Sequence, residues 1–386
     1  MSRSASFLPT LDSAALLTPR GRGAVATIRL QGAAALLDAP GGALFAAANG
    51  QPLSQQPIGR IVFGNWGEAP AEAVVVCRRD EGTVEIHCHG GEAAAARILR
   101  DLESVGCPAC SWMDQETHRL GQLTTECLEA LSRSRTQRTA DILLDQYLGA
   151  LSGAIDAIRA AADSEAPGEL AQTIALMDEL LAWGEFGLHL TEPWNVVLTG
   201  LPNAGKSSLL NALLGYDRAI VLDQPGTTRD VVTAEIALQG WPVRLADTAG
   251  IREPVDEIES AGIDRARTQL SQADCAIIVL DTSRPPAPGD WELLRVWPEA
   301  LVVAHKADLP DVWGAAVPTR AVRVSSLTAS GLAELEAAIL ARLAPRVPEP
   351  GKGVTVTLRQ LQWLQAAREA AEQCDLRRLQ DALQQL

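Results

Sequence analysis

The stretch G-L-P-N-A-G-K-S-S-L-L-N-A-L-L, residues 200 to 214, decides the fold. An apolar run at 194 to 198 precedes it and predicts a buried strand, and leucines at helical spacing follow it. Strand, glycine-rich turn and helix in this order are the context of a phosphate-binding loop, G-x-x-x-x-G-K-[ST]. Gly200 and Gly205 let successive backbone N–H groups point at one anion, and the helix adds its positive end. The alternative, a glycine turn between a core strand and a core helix, is disfavoured because spacing and context agree.

The overall composition indicates a folded protein of two or three domains. The chain has 386 residues, of which 47% are hydrophobic and 21% are charged, so it can bury sizeable cores. Its net charge of -15 disfavours passive binding to nucleic acid or to an anionic membrane. Any contact with RNA would therefore need a local basic patch or a basic partner.

Hydrophobicity and cysteine usage bear on the cellular compartment. No apolar run approaches the roughly 18 residues that a membrane span requires, and the opening residues contain no core of signal-peptide length. The cysteines number seven, which is odd, and they are scattered, which suggests reduced thiols. We therefore expect a cytoplasmic protein without membrane attachment.

The patterning predicts a multidomain α/β protein in four parts: residues 1–115, 116–190, 191–347 and 348–386. Short β-rich runs and a helix from 93 to 102 predict an α+β domain in the first part. The second part has helical periodicity. The third alternates strands and helices, which predicts a parallel sheet with helices on both faces. Its candidate strands are 194–199, 232–238, 243–247, 275–281, 300–304 and 321–325.

The last part contains a predicted helix from 358 to 383 that needs a packing partner. The helices of the second part are the simplest candidates, and this pairing would make the third part an insertion within a helical domain. Cys374 falls in the middle of the predicted helix, so we expect it to be a core residue.

Polar motifs follow several of the predicted strands of the third part. Lys206 can reach the outer phosphates of a nucleotide, and the Ser207 hydroxyl can bind magnesium. Asp247 ends a strand and opens D-T-A-G, where its carboxylate can hold magnesium through water and Gly250 can donate its N–H to the terminal phosphate. A threonine of G-T-T-R-D, residues 226–230, can complete the magnesium shell.

Two later motifs predict the base-binding side. H-K-A-D, residues 305–308, follows an apolar strand, and Asp308 could accept hydrogen bonds from the two donors on the guanine edge. Ser325 and Ser326 follow the next strand and could present a backbone N–H to the base. Motifs in this order, each at the end of a strand, are strong evidence for a guanine-nucleotide site.

At these residues the chain resembles the tRNA-modification GTPase family MnmE, also called TrmE. The resemblance is carried by N-A-G-K-S-S-L-L-N-A-L from 203, A-I-V-x-D-x-x-G-T-T-R-D from 219 and D-T-A-G-I-R-E-x-x-D-E-I-E from 247. A weaker match, T-P-R-G-R-G-A-V-A-T-I-R-L-Q-G at 18–32 and V-E-I-H-C-H-G-G at 84–91, resembles the family's amino-terminal folate-binding domain. The resemblance thus implies a P-loop GTPase domain, inserted in a helical domain and preceded by a folate-binding-like α+β domain.

The resemblance also implies a mechanism. GTP is hydrolysed with magnesium, and potassium supplies the positive charge that an arginine supplies in other GTPases. Glu259 would orient the attacking water, with Lys206 and Asn203 as further catalytic residues. Magnesium would be held by Ser207 and Thr228, and potassium by Asn203, Leu222, Gln224 and Thr227.

The resemblance also implies a set of residues that bind GTP and two residues that match folate-site positions. The GTP set is Asn203, Ala204, Gly205, Lys206, Ser207, Ser208, Leu222, Asp223, Gln224, Pro225, Gly226, Thr227, Thr228, Asp247, Thr248, Ala249, Gly250, His305, Lys306, Asp308, Ser325 and Ser326. Arg29 and Glu85 match positions that contact a tetrahydrofolate derivative.

The chain departs from the family pattern at several points. His305 replaces the asparagine of N-K-x-D, and because histidine can donate to a purine nitrogen we expect weaker guanine affinity but retained specificity. No lysine precedes Lys206, so the family's folate-contacting lysine has no counterpart. Members of the family carry a terminal C-[IL]-G-K, and tRNA modification requires its cysteine. The corresponding residues here are D-A-L-Q-Q-L.

The sequence supports three functions. The first is a potassium-dependent GTPase of tRNA wobble-uridine modification, a homodimer that works with an MnmG-type flavoprotein and contacts tRNA indirectly or through that partner. The second is a regulatory GTP-binding switch derived from the family that lacks the modification chemistry. The third, a ribosome-assembly GTPase of the Era or Der type, is less favoured because the chain shows neither an RNA-binding tail after residue 350 nor a second nucleotide domain.

Overall fold

The structure is a computed structural model of the chain, and it describes residues 12–21, 23–32, 34–38, 43–163, 169–216, 233–247 and 270–386. The chain divides into two compact units, Met1–Thr125 and Glu126–Leu386. Within the described residues, no helix is both long and apolar enough to cross a membrane.

The first unit is built on a seven-stranded sheet in the order β3-β4-β5-β6-β2-β1-β7. The strand pairs are antiparallel except for β1 and β7, which are parallel. The strands are β1 Ser13–Leu16, β2 Val25–Gln31, β3 Phe45–Ala47, β4 Ile61–Trp66, β5 Glu72–Arg78, β6 Thr83–His89 and β7 Ala109–Cys110. Among its described residues, this unit also contains the α-helices α1 Glu92–Ser104 and α2 Trp112–Leu120.

Alternation along the strands explains how this sheet acquires one buried face. In β4, Val62 and Trp66 are buried while Ile61 and Phe63 point the other way and are exposed. Helix α1, which the sequence predicted, contributes its own apolar stripe to the same core cluster. The opposite face of the sheet therefore carries large exposed hydrophobic side chains.

The nucleotide part of the second unit is a six-stranded sheet in the order β13-β12-β11-β8-β10-β9. The strands are β8 Trp194–Thr199, β9 Thr233–Leu238, β10 Trp241–Asp247, β11 Cys275–Asp281, β12 Leu301–His305 and β13 Val322–Val324. All of the predicted strands are present. The associated helices are α8 Lys206–Tyr216, α9 Pro288–Val296 and α10 Leu332–Leu343.

One strand corrects the prediction of an entirely parallel sheet. Strand β9 pairs with β10 in antiparallel register, whereas the other pairs are parallel. Gln239 and Gly240, which join the two strands, both have positive φ, 46° and 84°. A two-residue turn of this type closes a hairpin and cannot span the crossover that parallel neighbours require.

The helices on either side of the nucleotide part pack together. Helix α3, Gln122–Ser132, spans the sequence boundary of the two units; the second unit then has α4 Gln137–Tyr147, α5 Ala150–Ala162, α6 Glu169–Leu181, α7 Gly184–Leu188, α11 Leu358–Glu372 and α12 Leu376–Gln384. The Gln146 side chain of α4 bonds to the main chain of Lys352 and Val354. In addition, the Arg159 guanidinium donates to the Leu383 carbonyl oxygen, 3.0 Å away.

The predicted terminal helix is broken in two, and the prediction that Cys374 is a core residue is wrong. Helix α11 ends at Glu372, Cys374 has a φ of 55° and is exposed, and α12 begins after it. The Asp375 carboxylate caps the new helix by accepting from the Arg378 N–H at 3.1 Å. Apolar residues occur on both sides of the break, alanines before it and leucines after it, so hydrophobic periodicity alone does not show the left-handed residue.

Candidate nucleotide-binding site

The phosphate loop leaves the end of β8 and returns as helix α8, as the motif predicts. Its backbone takes positive φ at Gly200, Asn203 and Gly205, with values of 154°, 62° and 96°. A Cβ at Gly200 would lie 2.4 Å from the carbonyl oxygen of Val279 in β11. This turn therefore requires glycine both for its backbone conformation and for its contact with the neighbouring strand.

The Lys206 side chain folds back over the loop. Its Nζ donates to the carbonyl oxygens of Gly200 at 3.0 Å and Leu201 at 3.2 Å. The residue is buried, which places a positive charge among the loop's main-chain atoms. A cation held here is positioned to meet the outer phosphates of a nucleotide.

Two oxygen ligands of the type that magnesium prefers lie side by side at the start of α8. The Ser207 Oγ donates to Oδ2 of Asp247 at 2.8 Å. Asp247 is the buried last residue of β10, which pairs in parallel with β8. The donor set fits the magnesium assignment, with Ser207 as a direct ligand and Asp247 acting through water.

The predicted base-binding residues come together at the ends of β12 and β13. The Ser325 hydroxyl donates to Oδ1 of Asp308 at 2.6 Å and accepts from the N–H groups of Leu327 and Thr328 at 3.2 Å. The hydrogen bond from Ser325 holds the pKa of the Asp308 carboxyl below its usual range. A carboxylate oriented in this way can accept the two donors of a guanine edge.

A cavity of about 560 Å³ joins the loop to the base-binding motifs. Its volume is typical of ligand pockets. The lining residues are Gly205, Ser208, Asn211, Ala212, His305, Lys306, Asp308, Leu309, Ser326 and Leu327. Asn211, Ala212, Leu309 and Leu327 were not predicted as site residues. The first two lie in the helix that follows the phosphate loop, and the leucines adjoin the base-binding motifs without being part of them. Leu327 is 85% exposed, which is unusual for a leucine and is the one property that marks it.

The structure places both ring nitrogens of His305, which the sequence predicted to donate to a purine nitrogen, against protein atoms. Its Nδ1 lies 2.9 Å from the carbonyl oxygen of Ala204, and its Nε2 lies 2.7 Å from Oγ of Ser326. Burial lowers the pKa of His305, which favours the neutral ring. Both ring nitrogens are thus engaged by the protein itself.

Asp281, which the sequence did not single out, holds Lys306 in place. The Lys306 Nζ donates to Oδ2 of Asp281 at 2.7 Å and to the carbonyl oxygen of Asn203 at 3.2 Å. Burial alone would raise the pKa of Asp281, but the hydrogen bonds from Lys306 and Ser283 outweigh it and hold that pKa below its usual range. The bridge ties the end of β11 to the phosphate loop.

Several of the predicted site residues lie outside the described residues. They are Leu222, Asp223, Gln224, Pro225, Gly226, Thr227, Thr228, Thr248, Ala249, Gly250 and Glu259. Their assignments to GTP, magnesium, potassium and the attacking water stay predictions.

The folate-site candidates lie in the first unit. Arg29 of β2 and Glu85 of β6 are directly paired in the antiparallel register. The Arg29 guanidinium forms an ion pair with Glu116 of α2, a buried residue that the sequence did not single out. Burial alone would raise the pKa of Glu116, but Arg29 and Arg119 outweigh it and hold that pKa low.

This fold and this loop define a P-loop GTPase. The comparisons agree: the model of a family described as 50S ribosome-binding GTPase matches residues 195–306. The tRNA modification GTPase MnmE of Acidiphilium cryptum is 38% identical over 75% of this chain and 70% of its own. That of Thermus thermophilus is 34% identical over 82% of this chain and 78% of its own. The chain belongs to the MnmE family.

The comparison with solved structures gives only a partial superposition. Era of Aquifex aeolicus, bound to GDP and AlF4−, is 27% identical and covers 46% of this chain and 66% of its own, with a TM-score of 0.32.

Proposed function

We propose that this GTPase acts in tRNA wobble-uridine modification and that its hydrolysis depends on potassium as well as magnesium. The phosphate loop with its Ser207–Asp247 pair, facing the Asp308 pocket, is the observation that carries the nucleotide chemistry. Its relatives are tRNA modification GTPases, which supports the tRNA role. Deleting the gene and profiling wobble uridines by mass spectrometry tests that role; an unchanged modification profile would contradict it.

Potassium binding is proposed for Asn203 together with Leu222, Gln224 and Thr227. Asn203 is exposed at the crest of the loop, with a φ of 62°. Its carboxamide oxygen is a hard ligand that suits an alkali cation. A bound potassium ion would supply positive charge where negative charge develops during GTP hydrolysis. Lys306 anchors the Asn203 carbonyl, which holds this part of the loop still.

The test is the rate of GTP turnover in potassium chloride against sodium chloride and choline chloride at equal ionic strength. We expect faster turnover in potassium, and loss of that difference in Asn203→Ala. Equal rates in the three salts would remove the proposed role of Asn203.

Glu259 is proposed to orient the attacking water. Replacing it with alanine should leave nucleotide binding intact and lower the hydrolysis rate by about a hundredfold or more, as loss of general acid–base help commonly does. Glu257→Ala, in the same D-E-I-E stretch, is the matched control and should hydrolyse GTP normally. Turnover that survives in Glu259→Ala would place the acid elsewhere.

We further propose that the GTPase domain is an insertion within one helical domain. Side chains that precede the nucleotide part bond to chain that follows it: Gln146 to residues 352 and 354, and Arg159 to Leu383. The Gln360 amide likewise donates to Glu126 at 2.8 Å. These contacts, which begin at Glu126, support a helical domain assembled from chain on both sides of the nucleotide part, within the predicted segments 116–190 and 348–386. Residues 116–120 belong to α2 of the first unit, so the boundary of this domain is proposed near Glu126.

We propose that Arg29, which matches a folate-contacting position of the family, does not bind the anionic tail of a folate. The Arg29 guanidinium is already paired with Glu116, and the sequence has no lysine before Lys206. This favours the second candidate function, a GTP-binding switch without folate-dependent modification chemistry. Titration of the protein with tetrahydrofolate decides the point: no measurable binding is expected, and a micromolar Kd would contradict this view.

We propose that the protein is a homodimer that associates through its amino-terminal unit, with an MnmG-type flavoprotein as a further partner. Ile61 is 72% and Phe63 57% exposed, on the face of the sheet opposite the core cluster. An apolar face of this kind is costly to leave in water. Light scattering should give twice the monomer mass for the native protein and the monomer mass for Phe63→Glu. Leu376→Glu, at an exposed leucine of α12, is the control and should stay dimeric.

A further inference from the structure

His305 stands where the family pattern has asparagine, and it joins two loops of the site. It is the last residue of β12 and is 3% exposed. Its ring packs directly on the phosphate loop, since a Cβ at Gly205 would lie 2.3 Å from its Nδ1 and Cε1 atoms. Its two nitrogens reach Ala204 on one side and Ser326 on the other, at 2.9 and 2.7 Å.

The chemistry of these two partners fixes the tautomer. A carbonyl oxygen only accepts, so Nδ1 must carry the proton that is donated to Ala204. In the neutral ring Nε2 is then an acceptor, and the Ser326 hydroxyl donates to it. No N–H of the imidazole is left over for a ligand.

We infer that His305 is a positioning residue that fastens the phosphate loop to the Ser325–Ser326 loop, and that the pocket binds guanine without a hydrogen bond to N7 of the base. This inference rests on the proposed guanine-nucleotide function of the site. It replaces the idea that histidine substitutes for asparagine by donating to the purine. The pocket would therefore bind guanine nucleotides equally well whether the base has nitrogen or carbon at position 7.

Recognition of the base then depends on the edge of guanine that carries N1 and N2, which lies opposite N7. Asp308 is held by Ser325 through one oxygen, and a carboxylate has about four lone-pair sites, so it can still accept two further hydrogen bonds. Guanine offers two donors at N1 and N2, whereas adenine offers an acceptor at N1. Preference for guanine over adenine is therefore kept without any contact to N7.

The first experiment compares GDP with 7-deaza-GDP, in which carbon replaces N7, by displacement of a fluorescent GDP analogue from the native protein. The two Kd values should agree within about twofold, since no hydrogen bond is lost. A preference for GDP of about fivefold or more, the value of one ordinary hydrogen bond, would overturn the inference. If GDP itself does not bind, the result contradicts the proposed guanine-nucleotide function. A preference for GDP over 7-deaza-GDP contradicts only the present inference, so the two failures are distinguishable.

The variant His305→Asn provides the contrast. Its carboxamide has two N–H donors, whereas the single N–H of the neutral imidazole is already used by Ala204, so the variant should acquire discrimination against 7-deaza-GDP. The readout is a ratio of two affinities in one protein, so a general loss of stability does not mimic it. A variant that binds both nucleotides with the same ratio as the native protein would count against the inference.

The second experiment tests the fastening itself by a double-mutant cycle. Ser326→Ala and His305→Ala should each weaken GDP binding by about five- to tenfold, and the double variant should be no weaker than either. Ser326→Thr keeps the hydroxyl and should restore binding. Thr319→Ala, at an exposed position outside the pocket, is the control. Losses that multiply in the double variant would show that the two residues act independently and would refute the fastening.

Discussion

Gly205 is constrained from two directions, and this predicts a large effect of a single methyl group. Its φ of 96° disfavours any residue with a Cβ, and that Cβ would meet the His305 ring at 2.3 Å. Gly205→Ala should lower the free energy of unfolding by about 2 kcal/mol or more. It should also weaken GDP binding at least tenfold, because the ring or the loop must move. Urea unfolding and fluorescent nucleotide titration measure the two effects.

Gly215 is the matched control for this substitution. It lies in α8, is exposed, and a Cβ there would have no neighbour within 4 Å. Alanine should therefore stabilise the helix by about 0.5–1 kcal/mol and leave nucleotide binding unchanged. Equal effects of the two substitutions would show that loop geometry around Gly205 is not the cause.

The motif around Gly205 was predictable from the sequence, but the contacts that set its chemistry were not. Spacing identified Lys206, Ser207 and Asp308, because each must stand at a fixed distance from a strand end. Spacing says nothing of Asp281, since a carboxylate that ends a strand is not in itself a motif. It also could not show that both nitrogens of His305 are already in use.

The Thr136 hydroxyl group connects helix α4 to the β9–β10 hairpin. Its Oγ accepts from the Thr139 N–H at 3.3 Å, as a helix N-cap, and donates to the Gly240 carbonyl oxygen at 2.6 Å. Thr136→Ala should lower the free energy of unfolding by about 1–2 kcal/mol, because the cap and the loop contact are lost together.

Thr136→Ser separates this explanation from a loss of methyl packing. It keeps the hydroxyl and should retain most of the stability, since serine caps helices as well as threonine does. The comparison uses urea unfolding of the two variants under the same conditions. A serine variant as unstable as the alanine variant would assign the effect to the methyl group.

Hydrophobic patterning predicted the strands of the nucleotide part well, but it did not predict the break in the terminal helix or the β9–β10 hairpin. The strands of the nucleotide part were predicted closely because their apolar runs are buried on both faces. The break between α11 and α12 was missed because apolar residues, alanines and then leucines, occur on both sides of Cys374, whose positive φ has no counterpart in hydrophobicity. The hairpin that reverses β9 depends on two residues, Gln239 and Gly240, in a turn that strand patterning alone does not show.

In the proposed insertion, the two helical segments on either side of the nucleotide part must pair with each other. From the sequence we could predict that the terminal helix packs against another helix, since a lone amphipathic helix requires a partner. The residues that make the contact could not be predicted. The residues that perform it are buried polar side chains, Gln146 above all, and they carry no periodic signal. The main-chain contacts they make across a sequence separation of more than two hundred residues are visible only in the fold.

Gln146→Ala tests this joining of the two segments. The side chain is buried, donates to the Lys352 carbonyl oxygen at 3.1 Å and accepts from the Val354 N–H at 2.9 Å. Its removal leaves the N–H of a fully buried residue without this acceptor, so we expect a loss of about 2–3 kcal/mol in the free energy of unfolding. Gln137→Ala, at an exposed position of the same helix, should change stability by less than about 0.5 kcal/mol. If both variants unfold at the same urea concentration as the native protein, the two segments are held together by other contacts and the Gln146 bridge is incidental to the insertion.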